Sequence, residues 1–211
     1  GSLSGANIVM NANKTVTAVF EAFPAYPLFA RTDGGGTIFG NTGSPYSAGR
    51  VVNLMAQVAA GWQFLRWEGD ASGTISNVSV TMDRAKNVKG IFGTSVSLTG
   101  GGAGSLASYP IQGPYPYGST VRIVPRPSVG SYFAVWGSAA SGRANPLDFV
   151  ATNANPTISA LFVPLQGTDV NVYVNVEGEG TVSTSPNQQP YALGTQVTLT
   201  IRRGEQEIEF P

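Results

Sequence analysis

Short alternations of apolar and polar residues, separated by glycine- and proline-rich turns, run along most of the chain. Three of them follow a Pro-Tyr-x-x-Gly turn and carry aliphatic residues three and five positions after the glycine, namely Val52 and Leu54, Val121 and Ile123, and Val197 and Leu199. A period of two places these side chains on one face of a β-strand. Residues 50–60 also have helical spacing, but the second copy holds Pro125 and Pro127, and proline disrupts helix interiors. We therefore predict a strand in all three copies.

An aromatic segment and a closing strand complete a repeating unit. The segment 61–67, Gly-Trp-Gln-Phe-Leu-Arg-Trp, recurs at 130–136 as Gly-Ser-Tyr-Phe-Ala-Val-Trp. A third segment recurs three times and ends at Phe20, Phe92 and Phe162, which are 72 and 70 residues apart. Internal repeats of this length indicate tandem domains. The predicted organisation is the tail half of a preceding repeat at 1–22, complete repeats at 26–94 and 95–164, and the head half of a following repeat at 168–211.

These patterns predict an all-β fold of tandem small domains with five or six strands each and little helix. Glycine clusters at 34–36, 100–102 and 178–180 separate alternating segments and are read as hairpin turns. Large aromatic residues fill the cores of small domains, and the residues predicted to do so are Phe64, Trp67, Phe92, Phe133, Trp136 and Phe162. The strand 15–20 is expected to pair with residues 28–60 of the same chain. The alternative is that it pairs with residues 170–201 of another molecule.

Composition excludes several classes of function. The chain has no cysteine and no histidine, so it lacks a thiol nucleophile, a Cys/His zinc site and a Ser-His-Asp triad. Twelve basic and twelve acidic residues leave no net charge, which argues against nucleic-acid binding. No apolar run is long enough to span a membrane, so no membrane insertion is expected. Gly1-Ser2 resembles a cloning remnant, and we expect the chain to be part of a longer protein.

The acidic and lysine residues predict structure more strongly than chemistry. Asp70 and Asp83, with Glu68 nearby, bracket a loop, but a calcium site needs six to eight oxygen ligands. We interpret them as turn residues, with Ser138 and Asn153 at or near the same positions in the next repeat. Lys14 and Lys86 share one repeat position and are read as turn lysines before an edge strand. The alternating Glu205, Glu207 and Glu209 are read as a solvated strand face, with a cation site as the minority interpretation. No cofactor and no metal site is predicted.

Aromatic residues that do not recur between the repeats are the best candidates for a ligand surface. Trp62 has Ser131 at its equivalent position, and Tyr117 has Ala48. Exposed planar rings can stack on sugars, so Trp62, Tyr117 and Tyr132 form the candidate surface. If they are buried instead, a purely structural role is favoured.

The order of these motifs resembles the divergent InlB B-repeat of bacterial surface proteins. The resemblance rests on Phe64-x-x-Trp67 with the following Glu-Gly-Asp, and on Met82-Asp83 with Lys86, and it covers nearly the whole chain. It implies a non-catalytic structural array of an exported or cell-surface bacterial protein, which spaces or presents other modules and contacts its neighbouring repeats, with a role in adhesion. A β-grasp-like α+β domain with one short helix per repeat is the alternative fold that the family implies.

The sequence also bears on two other classes of function. A carbohydrate-binding module of a secreted multimodular protein is the main alternative, with a polysaccharide or cell-surface ligand. An enzyme is not predicted, because the paired carboxylates lack the arrangement that glycoside hydrolysis needs.

Overall fold

The computed structural model describes Gly5 and residues 7–174, 180–187 and 189–202, and these form strands and no helix. The first repeat contains β1 (Ala25–Tyr26), β2 (Leu28–Asp33), β3 (Gly36–Phe39), β4 (Tyr46–Ser47), β5 (Val51–Val58), β6 (Gln63–Gly69), β7 (Asn77–Thr81) and β8 (Lys86–Thr94). The second contains β9 (Ser97–Gly101), β10 (Gly104–Tyr109), β11 (Tyr115–Pro116), β12 (Thr120–Pro127), β13 (Ser131–Ser138), β14 (Leu147–Val150) and β15 (Thr157–Pro164). The remaining strands are β16 (Thr181–Ser185) and β17 (Thr198–Arg202).

Each complete repeat is a sandwich of two three-stranded sheets. In the first repeat β8 lies between β2, to which it is parallel, and β6, to which it is antiparallel; β3, β5 and β7 form the second sheet. In the second repeat β15 lies between β9 and β13 in the same way, and β10, β12 and β14 form the second sheet. The all-β prediction is confirmed, with six main strands per repeat. Among the described residues no helix has the length and apolar character needed to cross a bilayer.

Alternation along the strands produces the core between the sheets. In β5, Val52, Leu54 and Ala56 are buried while Val51 and Met55 face outward. The prolines of the second copy lie within β12, which pairs with β10 and β14. The helical spacing of residues 50–60 is therefore incidental, and the strand prediction is confirmed.

A β-bulge explains the Phe-x-x-Trp motif. Residues three apart on a regular strand face opposite sides, yet Trp67 is buried and Phe64 packs against the same core. The register of β6 against β8 shifts between Phe64 and Arg66, so the extra residue turns both rings inward. The second repeat shifts between Phe133 and Val135, with the same result.

The indoles at these positions have a polar partner as well as a core. The indole N–H of Trp67 donates to the carbonyl oxygen of Ile75 at 2.9 Å, and that of Trp136 donates to Ala144 at 2.6 Å. Each acceptor is eight residues further along the chain. The predicted core positions are thus confirmed, since Phe92, Phe133 and Phe162 are also buried and Phe64 is partly so.

The Pro-Tyr-x-x-Gly turn closes one end of each core. Its tyrosines, Tyr46, Tyr115 and Tyr191, are all buried. Their hydroxyls bond five residues back: Tyr115 to the carbonyl of Pro110, at 2.8 Å, and Tyr191 to that of Pro186, at 2.9 Å. Glycine is required at the end of the turn because φ there is +79°, +77° and +87° in the three copies.

The prediction for residues 15–20 is wrong in two respects. Residues 7–24 form no strand, and residues 7–23 pair neither with residues 28–60 nor with any other described segment. The carbonyl of Pro24 accepts from the backbone N–H of Ala48 at 2.7 Å. The apolar side chains of residues 7–23, including Val16, Val19 and Phe20, are exposed. A lone strand cannot satisfy its backbone hydrogen-bonding groups, so this segment forms no strand even though its sequence matches β8.

Of the last repeat, the structure describes one antiparallel pair, β16 with β17, and a bridge between Val170 and Tyr191. Three interpretations lie partly or wholly outside the described residues: the turn at 178–180, the alternating Glu205, Glu207 and Glu209, and Gly1-Ser2.

Candidate functional site

The two complete repeats share a strand at their junction. β8 belongs to the sandwich of the first repeat, and its last residues, Gly93 and Thr94, pair with β11 of the second repeat. The backbone N–H of Tyr117 also donates to the carbonyl of Phe92 at 2.9 Å. The pairing begins at Gly93, the residue directly after the core residue Phe92, so no flexible linker lies between the repeats.

Thr94 connects both repeats through its hydroxyl. The side chain is completely buried, and Oγ1 donates to the carbonyl of Gly61 at 3.2 Å. The same oxygen accepts from the backbone N–H of Asn155 at 2.7 Å. Gly61 belongs to the first repeat and Asn155 to the second, so one buried hydroxyl fixes a loop of each.

Close backbone packing accompanies this bond. A Cβ added to Gly61, whose φ is +78°, would lie 2.8 Å from the Cβ of Ala154 in the second repeat. The equivalent Gly130 has φ +81° and no heavy atom within 4 Å of such a Cβ. Glycine at position 61 therefore serves both the turn and the approach of the neighbouring repeat.

Two of the three aromatic residues predicted to form a ligand surface meet at this junction. The ring centroids of Trp62 and Tyr117 are 5.9 Å apart and the planes are tilted by 47°. Trp62 is partly buried, and it also covers Gly35, whereas Tyr117 is 47% exposed. Tyr132 lies on β13 opposite Val163, is partly buried, and is not in ring contact with either of them. The ligand surface remains a prediction, with two rings in contact and one apart.

The acidic residues of the first repeat are each paired with a cation. Arg84 bonds one oxygen of Asp70, and the backbone N–H of Asn87 donates to the other at 2.7 Å. The bond from Asn87 and then Arg84 lower the pKa of Asp70 below its usual value. Asp70 is thereby fixed as a loop residue, as the sequence predicts.

The other two carboxylates are held in the same manner. Lys86 lies 2.6 Å from Asp83 and lowers its pKa. Arg66, at 2.6 Å, and then Lys89 lower the pKa of Glu68. Among the described residues no group of three or more acidic side chains is arranged to hold a metal ion. Lys86 is the first residue of β8, which lies between β2 and β6 in the centre of its sheet. The prediction that this lysine precedes an edge strand is therefore wrong.

The structure also corrects one equivalence between the repeats. Ser138 has φ +64° and therefore occupies the position of Gly69, whose φ is +85°. Ala139, not Ser138, is equivalent to Asp70. The N–H of Ala139 donates to the carbonyl of Thr157, and the N–H of Asp70 donates to the carbonyl of Asn87, which holds the same repeat position as Thr157. The carboxylate of Asp70 therefore has no counterpart in the second repeat.

The junction between the second repeat and the last segment is built differently. Val170, the residue equivalent to Thr94, is the eighth residue after Phe162, whereas Thr94 is the second after Phe92, and β15 ends at Pro164. The Tyr173 hydroxyl accepts from the N–H of Gly130 at 2.9 Å and donates to the carbonyl of Ser131 at 3.0 Å. A side chain and a longer linker replace the shared strand.

Comparison with known proteins gives one match. The model of the divergent InlB B-repeat domain matches residues 26–95 and again residues 94–166. The two matches meet at the shared strand. No curated protein matches the chain, and no solved structure matches it either.

Proposed function

Because this chain belongs to the divergent InlB B-repeat family, whose repeats are modules of bacterial surface proteins, we propose that it is a non-catalytic spacer. In this role it holds other modules of an exported, surface-attached protein at a set distance and orientation. The observation that supports the proposal most is the junction at Thr94. A flexible linker would connect modules equally well, but it would not set the angle between them.

Three features support a fixed angle between the two complete repeats. β8 continues into the pairing with β11, the Thr94 hydroxyl binds a loop on each side, and the rings of Trp62 and Tyr117 are in contact. Domain pairs joined by small polar interfaces usually move relative to each other. Here the main-chain pairing opposes that motion.

Residual dipolar couplings measured on the 211-residue protein in a dilute aligned medium test this proposal. One alignment tensor should describe the amides of both complete repeats. Insertion of Gly-Ser-Gly-Ser between Phe92 and Gly93, which separates the core part of β8 from the two residues that pair with β11, should separate the tensors. The matched control is the same insertion between Gln166 and Gly167, which should leave them coincident. Two different tensors in the unmodified protein would contradict a rigid spacer.

The location of the protein is tested separately. Antibodies against the folded protein should label intact cells of the bacterium that encodes it, and protease treatment of those cells should remove the label. Labelling that requires permeabilised cells would contradict the surface assignment and leave the rigidity result untouched.

Carbohydrate binding is the second candidate, and the exposed side of the ring pair at the junction favours it. Each candidate residue has a natural replacement at the equivalent repeat position, which gives Tyr117→Ala, Trp62→Ser and Tyr132→Gln. If the junction binds sugar, a polysaccharide pull-down should weaken with the first two variants. Equal retention of all three, or no retention of the unmodified protein, would contradict this candidate.

A further inference from the structure

The first and last main strands of each complete repeat lie side by side and run in the same direction. In the first repeat the parallel pairing of β2 with β8 covers the six residues Leu28–Asp33. In the second repeat the parallel pairing of β9 with β15 covers the five residues Ser97–Gly101. The chain therefore enters each repeat at one end of a parallel pair and leaves it at the opposite end.

This arrangement decides how tension along the chain reaches the hydrogen bonds. A pull on the two ends of the first repeat draws β2 and β8 in opposite directions, each along its own axis. The bonds between the two strands run across this pull and are evenly spaced, so they are loaded together. If the strands were pulled apart from one end, the same bonds would break one after another and at a lower force.

The junction passes tension directly from one repeat to the next. β8 ends at Thr94 and β9 begins at Ser97, so two residues connect the loaded strand of one repeat to that of the next. Gly93 and Thr94 are themselves paired with β11. The line of load thus runs from β2 across to β8 and on to β9 and β15, and the second sheet of each sandwich lies off this line.

The first repeat has an additional connection between its loaded strands. Lys89 on β8 lies 2.9 Å from Asp33 on β2 and 3.3 Å from Glu68 on β6, so its ammonium group joins all three strands of the sheet. The second repeat has uncharged residues at the equivalent positions, namely Ser159, Gly101 and Gly137. Its parallel pairing is also one residue shorter, so we expect the first repeat to resist tension more strongly than the second.

We propose that the complete repeats are load-bearing units, in which shear between the first and last strands keeps the sandwich folded while the chain is under tension. That the array meets tension rests on its proposed role as a surface spacer. The resistance itself depends only on the order and direction of the strands. Forced unfolding reports the rate of unfolding, so it is a property separate from the angle between the repeats.

Optical tweezers can load the same repeat in two directions. The chain has no cysteine, so two introduced cysteines fix where the handles attach. Phe23→Cys with Ser97→Cys loads β2 and β8 in shear, whereas Phe23→Cys with Ala85→Cys pulls the pair apart from one end. All three positions are exposed. At one pulling speed the unfolding force should be at least about twofold higher in shear, because six residue pairs share the load. Equal forces in the two directions would overturn the proposal.

Two proline variants test the hydrogen bonds between the loaded strands. The N–H of Lys86 donates to the carbonyl of Pro27 at 3.0 Å. Alternate residues of a parallel strand bond to the same neighbour, so the N–H of Arg31 faces β8 and that of Ala30 faces away. Arg31→Pro should lower the shear force, and Ala30→Pro, the matched control, should lower it much less. Circular dichroism verifies that each variant is folded, and equal losses of force in two folded variants would contradict the proposal.

Handles at Phe23→Cys and Thr168→Cys stretch both complete repeats in one molecule. Two unfolding steps are expected, and Lys89→Ser, which introduces the residue of the second repeat, should lower only the step at higher force. Unfolding at forces no higher than in the pulled-apart direction would overturn the load-bearing role even if one alignment tensor describes both repeats. Two tensors together with high shear forces would contradict the rigid spacer alone.

Discussion

Replacing Thr94 by valine removes the hydroxyl that joins the repeats and keeps the shape of the side chain. Thr94 is completely buried, so no water occupies the position of the lost oxygen. The hydroxyl donates to Gly61 and accepts from Asn155. Two hydrogen bonds with a net worth of about 0.5–1.5 kcal/mol each give a predicted loss of about 1–3 kcal/mol in the free energy of unfolding. No cavity contributes, because the volume is nearly unchanged.

Urea unfolding followed by far-ultraviolet circular dichroism measures this loss. The midpoint should fall while the slope with denaturant stays the same, since the native fold is retained. Thr81→Val is the matched control, because Thr81 is an exposed strand residue on β7 and its substitution should change stability by no more than about 0.5 kcal/mol.

The same variant should loosen the junction. Amide exchange at Asn155 should accelerate relative to Ile158, which lies within the core strand β15 and should keep its protection. A loss below about 0.5 kcal/mol, within the range of ordinary surface substitutions, would refute the reasoning that the hydroxyl is a buried connection. Equal acceleration at both amides would instead indicate general unfolding of the second repeat.

Three further predictions concern other features. Trp67→Ala and Trp136→Ala should each cost about 3–5 kcal/mol in urea unfolding, as for large core aromatics, and a cost under about 1 kcal/mol for either would contradict its core assignment. Gly61→Ala and Gly130→Ala share the cost of a positive φ, roughly 1–2 kcal/mol, but only the new methyl group at position 61 would meet Ala154. Thermal unfolding should therefore show a larger loss of stability for Gly61→Ala, and equal losses would contradict close packing at the junction. The pKa values of Asp70 and Asp83 are lowered in the folded state, so their contribution is complete above the ordinary value of 3.8 and is lost as the pH falls through the folded values. The urea midpoint should therefore fall less steeply at acid pH in Asp70→Asn than in the unmodified protein. An unchanged fall would show that the ion pair of Asp70 contributes nothing to the free energy of unfolding.

The strands and the core were predictable because they depend on local periodicity and recur. Comparing copies decided the one ambiguous segment, since Pro125 and Pro127 exclude a helix there. The bulge was implicit in the sequence, because a Phe-x-x-Trp spacing in a strand can place both rings in one core only if the register shifts.

The junction was not predicted, because nothing distinguishes Thr94 from other strand threonines. Trp62 and Tyr117 differ from the other aromatic residues in the sequence because they do not recur, and in the structure they meet where two different repeats adjoin. A usable signal was present in the spacing from the closing phenylalanine to the next turn tyrosine, which is 26, 23 and 29 residues in the three places. The shortest spacing marks the junction with the shared strand.

The segment 15–20 shows why a strand pattern alone is insufficient. It has the alternation of β8, but strand formation requires hydrogen-bonding partners on a neighbouring chain segment. In the described structure those partners are absent for residues 7–23, and the segment forms no strand.

The pairing of β11 with the end of β8 gives the array a direction of assembly. The buried tyrosine of the second repeat, Tyr115, lies on β11, so the strand that positions it belongs to the preceding repeat. The first repeat depends on its own N-terminal flank in the same way, since Tyr46 pairs with Tyr26. A ribosome delivers the N-terminal side first. The strand on which each new repeat assembles is therefore synthesised before that repeat. An array can fold one repeat at a time from its N-terminus, with each folded sandwich supplying the pairing strand for the next.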